Sequence, residues 1–403
     1  MQRVTVLSLH TSPLAQPGVG DGGGMNVYVR ELVSALAHAG VDCTTYTRRV
    51  DPNAPTEIVV EPNHKVVHID AGACDLPKGE LHSVVDEFTA NVGDHIVSHG
   101  GTDIIHANYW LSGLAGHSLK HSLNVPLVST FHTFARVKAL GGDPESQFRE
   151  AAEAEVIGCS DAICVSCTEE ERQFVSLYGT PPGNLEIVAP GVEHAFFAPG
   201  DRGGARHALD LNDGPVLLFV GRIQPLKGVD VAVQALAELK RPDATLIVVG
   251  GASGEEGDAE LQRVHDLIDE CGVADQVRFV EPQPHHMLST YYRAADVVVV
   301  PSRSESFGLV ALEAAACGTP VVASAVGGLL TLVDHGRNGY LIADRQPSEF
   351  ARHIRDILDN PVLANQMSYE AAVRARRYTW SFAGARLRRV YADLAARDRV
   401  ECR

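Results

Sequence analysis

Glu305 and Glu313 are the carboxylates best placed for chemistry in this 403-residue chain. They bracket Glu-Ser-Phe-Gly-Leu-Val-Ala-Leu-Glu, a mostly apolar stretch that reads as the start of a helix. At about 3.6 residues per turn the two fall about 80° apart, on one broad side of the helix, one at its mouth and one roughly two turns in. A Glu at a helix start is ordinary capping chemistry, but Glu313 inside the apolar run needs a polar partner once buried. A ribose diol would suit Glu313 and a sugar Glu305, with the N–H groups of Phe307, Gly308 and Leu309 facing phosphate oxygens. Upstream, Gly221-Arg222-Ile223-Gln224-Pro225-Leu226-Lys227-Gly228 directly follows a strand-like run. A single loop cation is usually just solvated. Arg222 and Lys227 together, under Gly and Pro constraint, suit one diphosphate: Arg as a planar fork, Lys as a point charge.

The first half offers a looser set. In Gly22-Gly23-Gly24-Met25-Asn26 the glycines let backbone approach an anion, and the helix that follows adds open N–H groups. The same cluster also reads as a plain loop. His106-Ala107-Asn108-Tyr109-Trp110 and Thr130-Phe131-His132-Thr133 each follow or end a strand-like run. A lone His is more often structural than functional. With Lys78, Tyr109, Thr133, Arg136, Lys138 and Arg149 also available, His132 has the makings of a polar acceptor pocket around it.

The elements that must position these residues alternate. Val4–Leu9, Val41–Thr47, Val66–Ile69, Asp103–His106, Pro126–Thr130 and Ala162–Ser166 read as strands separated by helical patterns, the first helix stopping at Gly40. The rhythm restarts after Pro190-Gly191-Val192, with strands at Val216–Val220, Thr245–Val249, Val277–Val280, Val297–Val300 and Pro320–Ser324. This is the βαβ alternation of parallel, doubly wound sheets, in which ligands sit beyond the carboxyl ends of strands. The expected fold class is α/β: two Rossmann-like domains facing across a cleft, residues 1–199 and 200–380. An aromatic-rich helix over 381–403 is expected to return to the first domain or pack across both.

Composition narrows the function classes. The formal net charge is −17 and no long Lys/Arg run occurs, which disfavours nucleic-acid and anionic-membrane partners. No apolar stretch reaches the length of a membrane span, and the opening residues read as a strand rather than an export signal. The expectation is a cytoplasmic enzyme, not a periplasmic binding protein. The eight Cys, at 43, 74, 159, 164, 167, 271, 317 and 402, read as small buried hydrophobes in a reducing compartment. Cys159, Cys164 and Cys167 lack a second pair or neighbouring His to complete a metal set. No metal and no cofactor is expected.

Taken together, Glu305…Glu313, the GRIQPLKG loop and the Pro190-Gly191-Val192 joint resemble the retaining glycosyltransferases of family 4, which have the two-domain GT-B arrangement. The resemblance runs over essentially the whole chain. His10-Thr11-Ser12-Pro13-Leu14-Ala15-Gln16-Pro17-Gly18, Gly23-Gly24-Met25-Asn26-Val27-Tyr28-Val29 and Tyr109-Trp110-Leu111-Ser112-Gly113 narrow it to the mycothiol-pathway branch. Members of that branch transfer N-acetylglucosamine from UDP-GlcNAc to 1D-myo-inositol 3-phosphate. The resemblance implies Arg222 and Lys227 on the UDP diphosphate, Glu313 on the ribose, and Glu305 with the amides of Phe307, Gly308 and Leu309 on the donor sugar and phosphate. It implies Arg293 near the uracil and Gly24 and Asn26 near the donor phosphate and the acceptor. Lys78, Tyr109, Thr133 and Arg149 would hold the inositol phosphate, and His132 would stand beside the reacting centre. A homodimer is implied in the same way. Ser304, where the branch usually has Asn, and Phe134-Ala135-Arg136 depart from its pattern. The alternative within the family is UDP-glucose or another nucleotide sugar with a different acceptor: a sugar phosphate, another cyclitol or a lipid-linked inositol.

Overall fold

The computed structural model describes residues 2–18, 20, 22–254 and 257–402. The chain divides into two units: Met1–Ala15, Met25–Pro190 and Trp380–Arg403 form the first, Gln16–Gly24 and Gly191–Thr379 the second.

The first unit carries β1 (Arg3–Leu7), β2 (Asp42–Arg48), β3 (Glu57–Glu61), β4 (His64–Ile69), β5 (Ile104–Asn108), β6 (Leu127–Thr130), β7 (Ala162–Val165) and β8 (Asn184–Ile187). They form one sheet in the order β3-β4-β2-β1-β5-β6-β7-β8, parallel except for β3, which pairs antiparallel at the edge. The inner strands are buried on both faces: every residue of β5, β6 and β7 is buried, as a parallel sheet covered by helices on each side requires. Helices Val85–Ser98, Trp110–Leu123 and Gln147–Cys159 supply part of that cover. Phe88, Val92, Leu111, Leu119 and Val156 join Leu7, Ile105 and Leu127 in one core.

The second unit carries β9 (Val216–Val220), β10 (Thr245–Val249), β11 (Val277–Val280), β12 (Val297–Val300), β13 (Val321–Ser324) and β14 (Gly339–Ile342). Their order, β11-β10-β9-β12-β13-β14, with all neighbours parallel, is the doubly wound arrangement. β12 is four buried valines in a row, β-branched residues that suit a central strand walled on both faces. Helix Val229–Leu239 packs Val233 and Leu236 into the same core as Phe350 and Ile354 of helix Pro347–Leu358.

Topology fixes where chemistry can occur. The order reverses between β1 and β5 in the first sheet and between β9 and β12 in the second. Loops leaving those strand ends splay apart and leave a crevice. The Gly-rich loop and the Tyr109 corner leave the first pair; the Arg222–Lys227 and Glu305 loops leave the second.

Two sequence expectations need correction, and one that allowed two alternatives is decided. Three strands, β3, β8 and β14, were not expected; each is only four or five residues long and none has a long apolar run. The terminal helix Trp380–Ala395 belongs to the first unit, where the Tyr391 hydroxyl and His106 Nδ1 are 2.7 Å apart and Arg386 pairs with Glu186 at 2.6 Å. The cysteines are not uniformly isolated. Cys43, Cys164, Cys167 and Cys317 are buried and Cys74 and Cys271 half-buried, but Cys159 and Cys402 meet in disulfide contact, beside His117 and His121. Separation of 243 residues in sequence hid that meeting.

Candidate functional site

In the second unit two loops are tied together at the switch point. The amide of Arg303 donates to the carbonyl of Leu226 at 2.9 Å, which fixes the loop after β12 against the loop after β9. Across this seam Lys227 Nζ donates to Glu305 Oε2 at 2.8 Å. The pair is half-buried rather than sealed, so an arriving ligand can compete for either partner. Gly308, at φ 102°, turns the chain into helix Leu309–Ala316, and a Cβ there would lie 2.8 Å from Leu329 Cδ2. Only glycine makes this entry without strain. Gly327 and Gly328 let the next loop back directly onto Glu305 and Phe307, with the Gly328 amide donating to the Glu305 carbonyl at 3.0 Å. Phe307 is buried edge-on against Tyr378.

The Gly-rich loop belongs to this corner. A Cβ on Gly23 would lie 3.7 Å from Arg222 Nε, and one on Gly24 3.4 Å from Leu309 Cδ1. Backbone without side chains therefore lines the space beside the Arg222 guanidinium and the open end of helix Leu309–Ala316. Arg222, Lys227, Glu305, Phe307, Gly308, Leu309 and Gly24 are brought together as the sequence suggested. The cluster holds two cations, one carboxylate and a helix N-terminus, which is an anion-binding arrangement.

Two residues of this unit have unexpected neighbours. Glu313 is buried, with Oε1 accepting from His285 Nε2 at 2.7 Å and Oε2 accepting from the Tyr292 hydroxyl at 2.8 Å. Burial and the adjacent carboxylate push the Tyr292 phenol well above its usual range, so it stays a donor. A ribose on Glu313 would share those oxygens or replace His285. Arg293 donates from Nε to the carbonyl of Ala198 at 2.8 Å and from its other arm to that of Phe196. Where a uracil-side cation was expected, the structure has a clamp on the segment that enters the second unit.

The first unit assembles a second polar corner. Arg149, buried near the start of helix Gln147–Cys159, donates from Nε to Glu153 Oε1 at 2.8 Å. One arm donates to Glu145 Oε1 at 2.6 Å and the Tyr109 hydroxyl at 3.2 Å. The other donates to the carbonyl and hydroxyl of Thr133 at 3.0 and 3.1 Å. Burial alone would weaken its charged form; Tyr109, Glu153 and Glu145 outweigh that and hold its pKa above the usual value. The guanidinium lies 5.0 Å from the Tyr109 ring centroid, and the exposed Lys78 ammonium lies 5.9 Å from it. Lys78, Tyr109, Thr133 and Arg149 thus converge.

His132 and Asn26 bond to groups of the first unit. His132 is at φ 62°, with Nε2 2.9 Å from Asn108 Oδ1 and its ring edge-on to Tyr28. Burial, with a smaller effect of His106, pushes its pKa down to about 3. Asn26 is buried, and its Nδ2 donates to Thr11 Oγ1 at 2.8 Å and the Ser12 carbonyl at 2.6 Å, fixing the loop after β1. The sequence reading missed Glu145 and Glu153. A signal was present for Glu153, four residues from Arg149 on the same helix, the spacing of helical ion pairs; Glu145 lies before the helix cap Ser146. The sequence reading also missed His285, Tyr292 and the Gly327-Gly328 backing, for which no local pattern existed.

Comparison with known proteins gives the family. Residues 23–191 match the "Glycosyl transferase 4-like domain" and residues 182–374 match "Glycosyl transferases group 1". A D-inositol 3-phosphate glycosyltransferase 2 of Catenulispora acidiphila is 44% identical over 97% of this chain and 94% of its own. This chain belongs to the family 4 glycosyltransferases. A second member, the D-inositol 3-phosphate glycosyltransferase of Streptosporangium roseum, is 42% identical over 98% of this chain and 94% of its own. Among solved structures, sucrose-phosphate synthase from Thermosynechococcus elongatus superposes with a TM-score of 0.92 at 32% identity, covering 98% of this chain and 100% of the other. The Anabaena HepE protein shares the fold at a TM-score of 0.77 and 19% identity, over 98% of this chain and 100% of the other. The enzyme is therefore a GT-B hexosyltransferase. Among the described residues, no helix is long and apolar enough to cross a membrane.

Proposed function

We propose that this glycosyltransferase moves N-acetylglucosamine from UDP-GlcNAc to 1D-myo-inositol 3-phosphate with retention at the anomeric carbon. The observation that carries the acceptor reading is the convergence of Lys78, Tyr109, Thr133 and Arg149: two cations and two hydroxyls, the groups a phosphorylated polyol requires. Relatives at 42 to 44% identity named for D-inositol 3-phosphate support it.

On the donor side, departure of UDP leaves positive charge on the sugar ring and negative charge on the phosphate. Arg222, Lys227 and the amides opening helix Leu309–Ala316 stabilise the leaving diphosphate. Glu305 gives up Lys227 to the phosphate and turns to the sugar hydroxyls. His132, with its pKa near 3, is a neutral hydrogen-bonding group at working pH and a poor proton acceptor. The acceptor hydroxyl therefore loses its proton to the departing phosphate on the same face, which gives retention. This scheme requires no metal at the reacting centre, no nucleic acid and no membrane; a homodimer is compatible with it.

The deciding experiment is a matrix of acceptors (inositol 3-phosphate, free inositol, fructose 6-phosphate) against donors (UDP-GlcNAc, UDP-glucose, GDP-mannose), with the product anomer read by NMR. The proposal expects transfer with the first of each series and an axial linkage. Transfer to a sugar phosphate instead would favour the alternative, for which the 0.92 superposition on a sucrose-phosphate synthase is the specific support. An inverted anomer would remove the mechanism.

A further inference from the structure

Away from both polar corners, four side chains from three separate stretches of the first unit converge. His117 and His121 lie four residues apart on helix Trp110–Leu123, the spacing that aligns two side chains on one face. Their rings meet edge to face, with centroids 5.1 Å apart. Cys159 closes helix Gln147–Cys159, and Cys402 lies beyond helix Trp380–Ala395. One imidazole nitrogen from each histidine and the two sulfurs all fall within 4.8 Å of one another. His121 Nε2 lies 3.0 Å from Cys402 Sγ and 3.5 Å from Cys159 Sγ. In a tetrahedron with Zn–S of about 2.3 Å and Zn–N of about 2.0 Å the N–S edges are roughly 3.5 Å, comparable with the two His121 distances; the sulfurs sit closer, in disulfide contact, and would part to about 3.8 Å around the ion.

The surroundings are those of a metal site. His117 Nδ1 is 2.9 Å from Glu155 Oε1, so a carboxylate orients the ring and leaves Nε2 for the cluster. The chain before Cys402 is anchored independently: Lys120 Nζ donates to the carbonyls of Cys159 and Val400 at 2.7 and 3.0 Å and pairs with Asp161 at 2.9 Å. The Val400 amide donates to Asp161 Oδ1 at 2.7 Å. A disulfide would account for two sulfurs whose Cα atoms are 4.6 Å apart. It would give no reason for two imidazoles and an orienting carboxylate to meet at the same point.

We infer that Cys159, Cys402, His117 and His121 form a Cys2His2 site for Zn2+, each thiol giving up its proton on binding. Four protein ligands leave no open position, so the ion is structural. It ties the segment after the last helix to the C-terminal half of the helix whose start presents Tyr109, about 12 Å away along the axis.

The test is zinc content of the full chain, purified with a reductant and no added metal, beside thiol titration in denaturant and Co2+ substitution. Near one zinc per chain is expected, with all eight thiols titrating after chelation. Cobalt should give tetrahedral d–d bands with thiolate charge transfer. His121→Ala and Cys402→Ser should each lower zinc occupancy at least tenfold; Cys402 is exposed, so its replacement leaves the core intact. Six titrating thiols without zinc would show a disulfide instead and overturn the proposal. So would eight thiols without zinc, or zinc retained in both variants.

Discussion

Arg149 spends all five of its N–H groups inside the protein, on Glu153, Glu145, Tyr109 and twice on Thr133. A phosphate can reach it only by displacing one of these, and of the two carboxylates, which an anion repels, Glu145 is the less buried. Glu145→Gln should therefore lower the acceptor KM roughly fivefold, the equivalent of about 1 kcal/mol, with UDP affinity unchanged. An equal or higher KM by steady-state kinetics would remove the acceptor assignment of Arg149. On the donor side, Lys227→Ala should lower kcat about a hundredfold, roughly 3 kcal/mol of lost stabilisation of the leaving phosphate. Calorimetry should show a smaller loss of UDP binding. At this scale the sequence pointed to groups whose chemistry suits a ligand and was silent about which of them meet each other. Glu305 and Lys227 stand 78 residues apart, and no spacing rule joins them.

The elements hold these groups through two loops that must stay in register. Gly228, at φ 76°, lets the Arg222–Lys227 loop enter helix Val229–Leu239; a Cβ there would lie 2.5 Å from the Pro301 carbonyl oxygen. That obstacle is backbone of the companion loop and cannot rotate aside. Gly228→Ala should cost about 2 kcal/mol or more of stability in denaturant melts and weaken UDP binding in proportion. A variant as stable as wild type would show that the loops are not locked. Strands such as Val216–Val220 and Val297–Val300 were legible because both faces are buried and continuous apolar runs result. Edge strand Glu57–Glu61 was not, because most of its residues face solvent or are half-exposed and its antiparallel pairing with β4 leaves no long apolar run.

For the whole molecule, buried titratable groups set the response to pH. Burial pushes His106 and His132 down to about 3, against about 6.5 in the unfolded chain. Below pH 6.5 the unfolded chain takes up protons that the folded one refuses, so stability falls as pH drops from 6.5 towards 3. Glu170 acts oppositely. Burial raises it to about 7 despite hydrogen bonds from Ser166. Between about 4.5 and 7 the folded state keeps a proton the unfolded state has lost, so this group's contribution declines as pH rises. His64, His95, His117 and His353, also lowered by burial, add to the histidine side, so stability should climb from pH 4.5 to about 6.5 with a net slope of at least one proton and level off near 7. Glu170→Gln keeps an acceptor for Ser166 and should stabilise the protein more at pH 8 than at pH 5. An equal effect at both would contradict the burial of that carboxyl. Tyr391→Phe should cost about 1 to 3 kcal/mol by removing the hydroxyl from buried His106 Nδ1, and should loosen the return of the last helix.

Local pattern alone determined the α/β class, the inner strand runs of both sheets, the two-cation loop and the pair of glutamates. Each of these depends on neighbours within one turn or one strand, where periodicity and burial leave a direct trace in residue type. Only the folded chain decided that Arg149 is already satisfied, that Arg293 clamps residues 196–198, that Glu313 is held by His285 and Tyr292, and that Cys159 meets Cys402 and two histidines. Apart from the two glutamates four residues from Arg149, those outcomes rest on contacts between segments from 16 to 243 residues apart. The sheets decide which segments meet, and nothing in the composition of either segment records its partner.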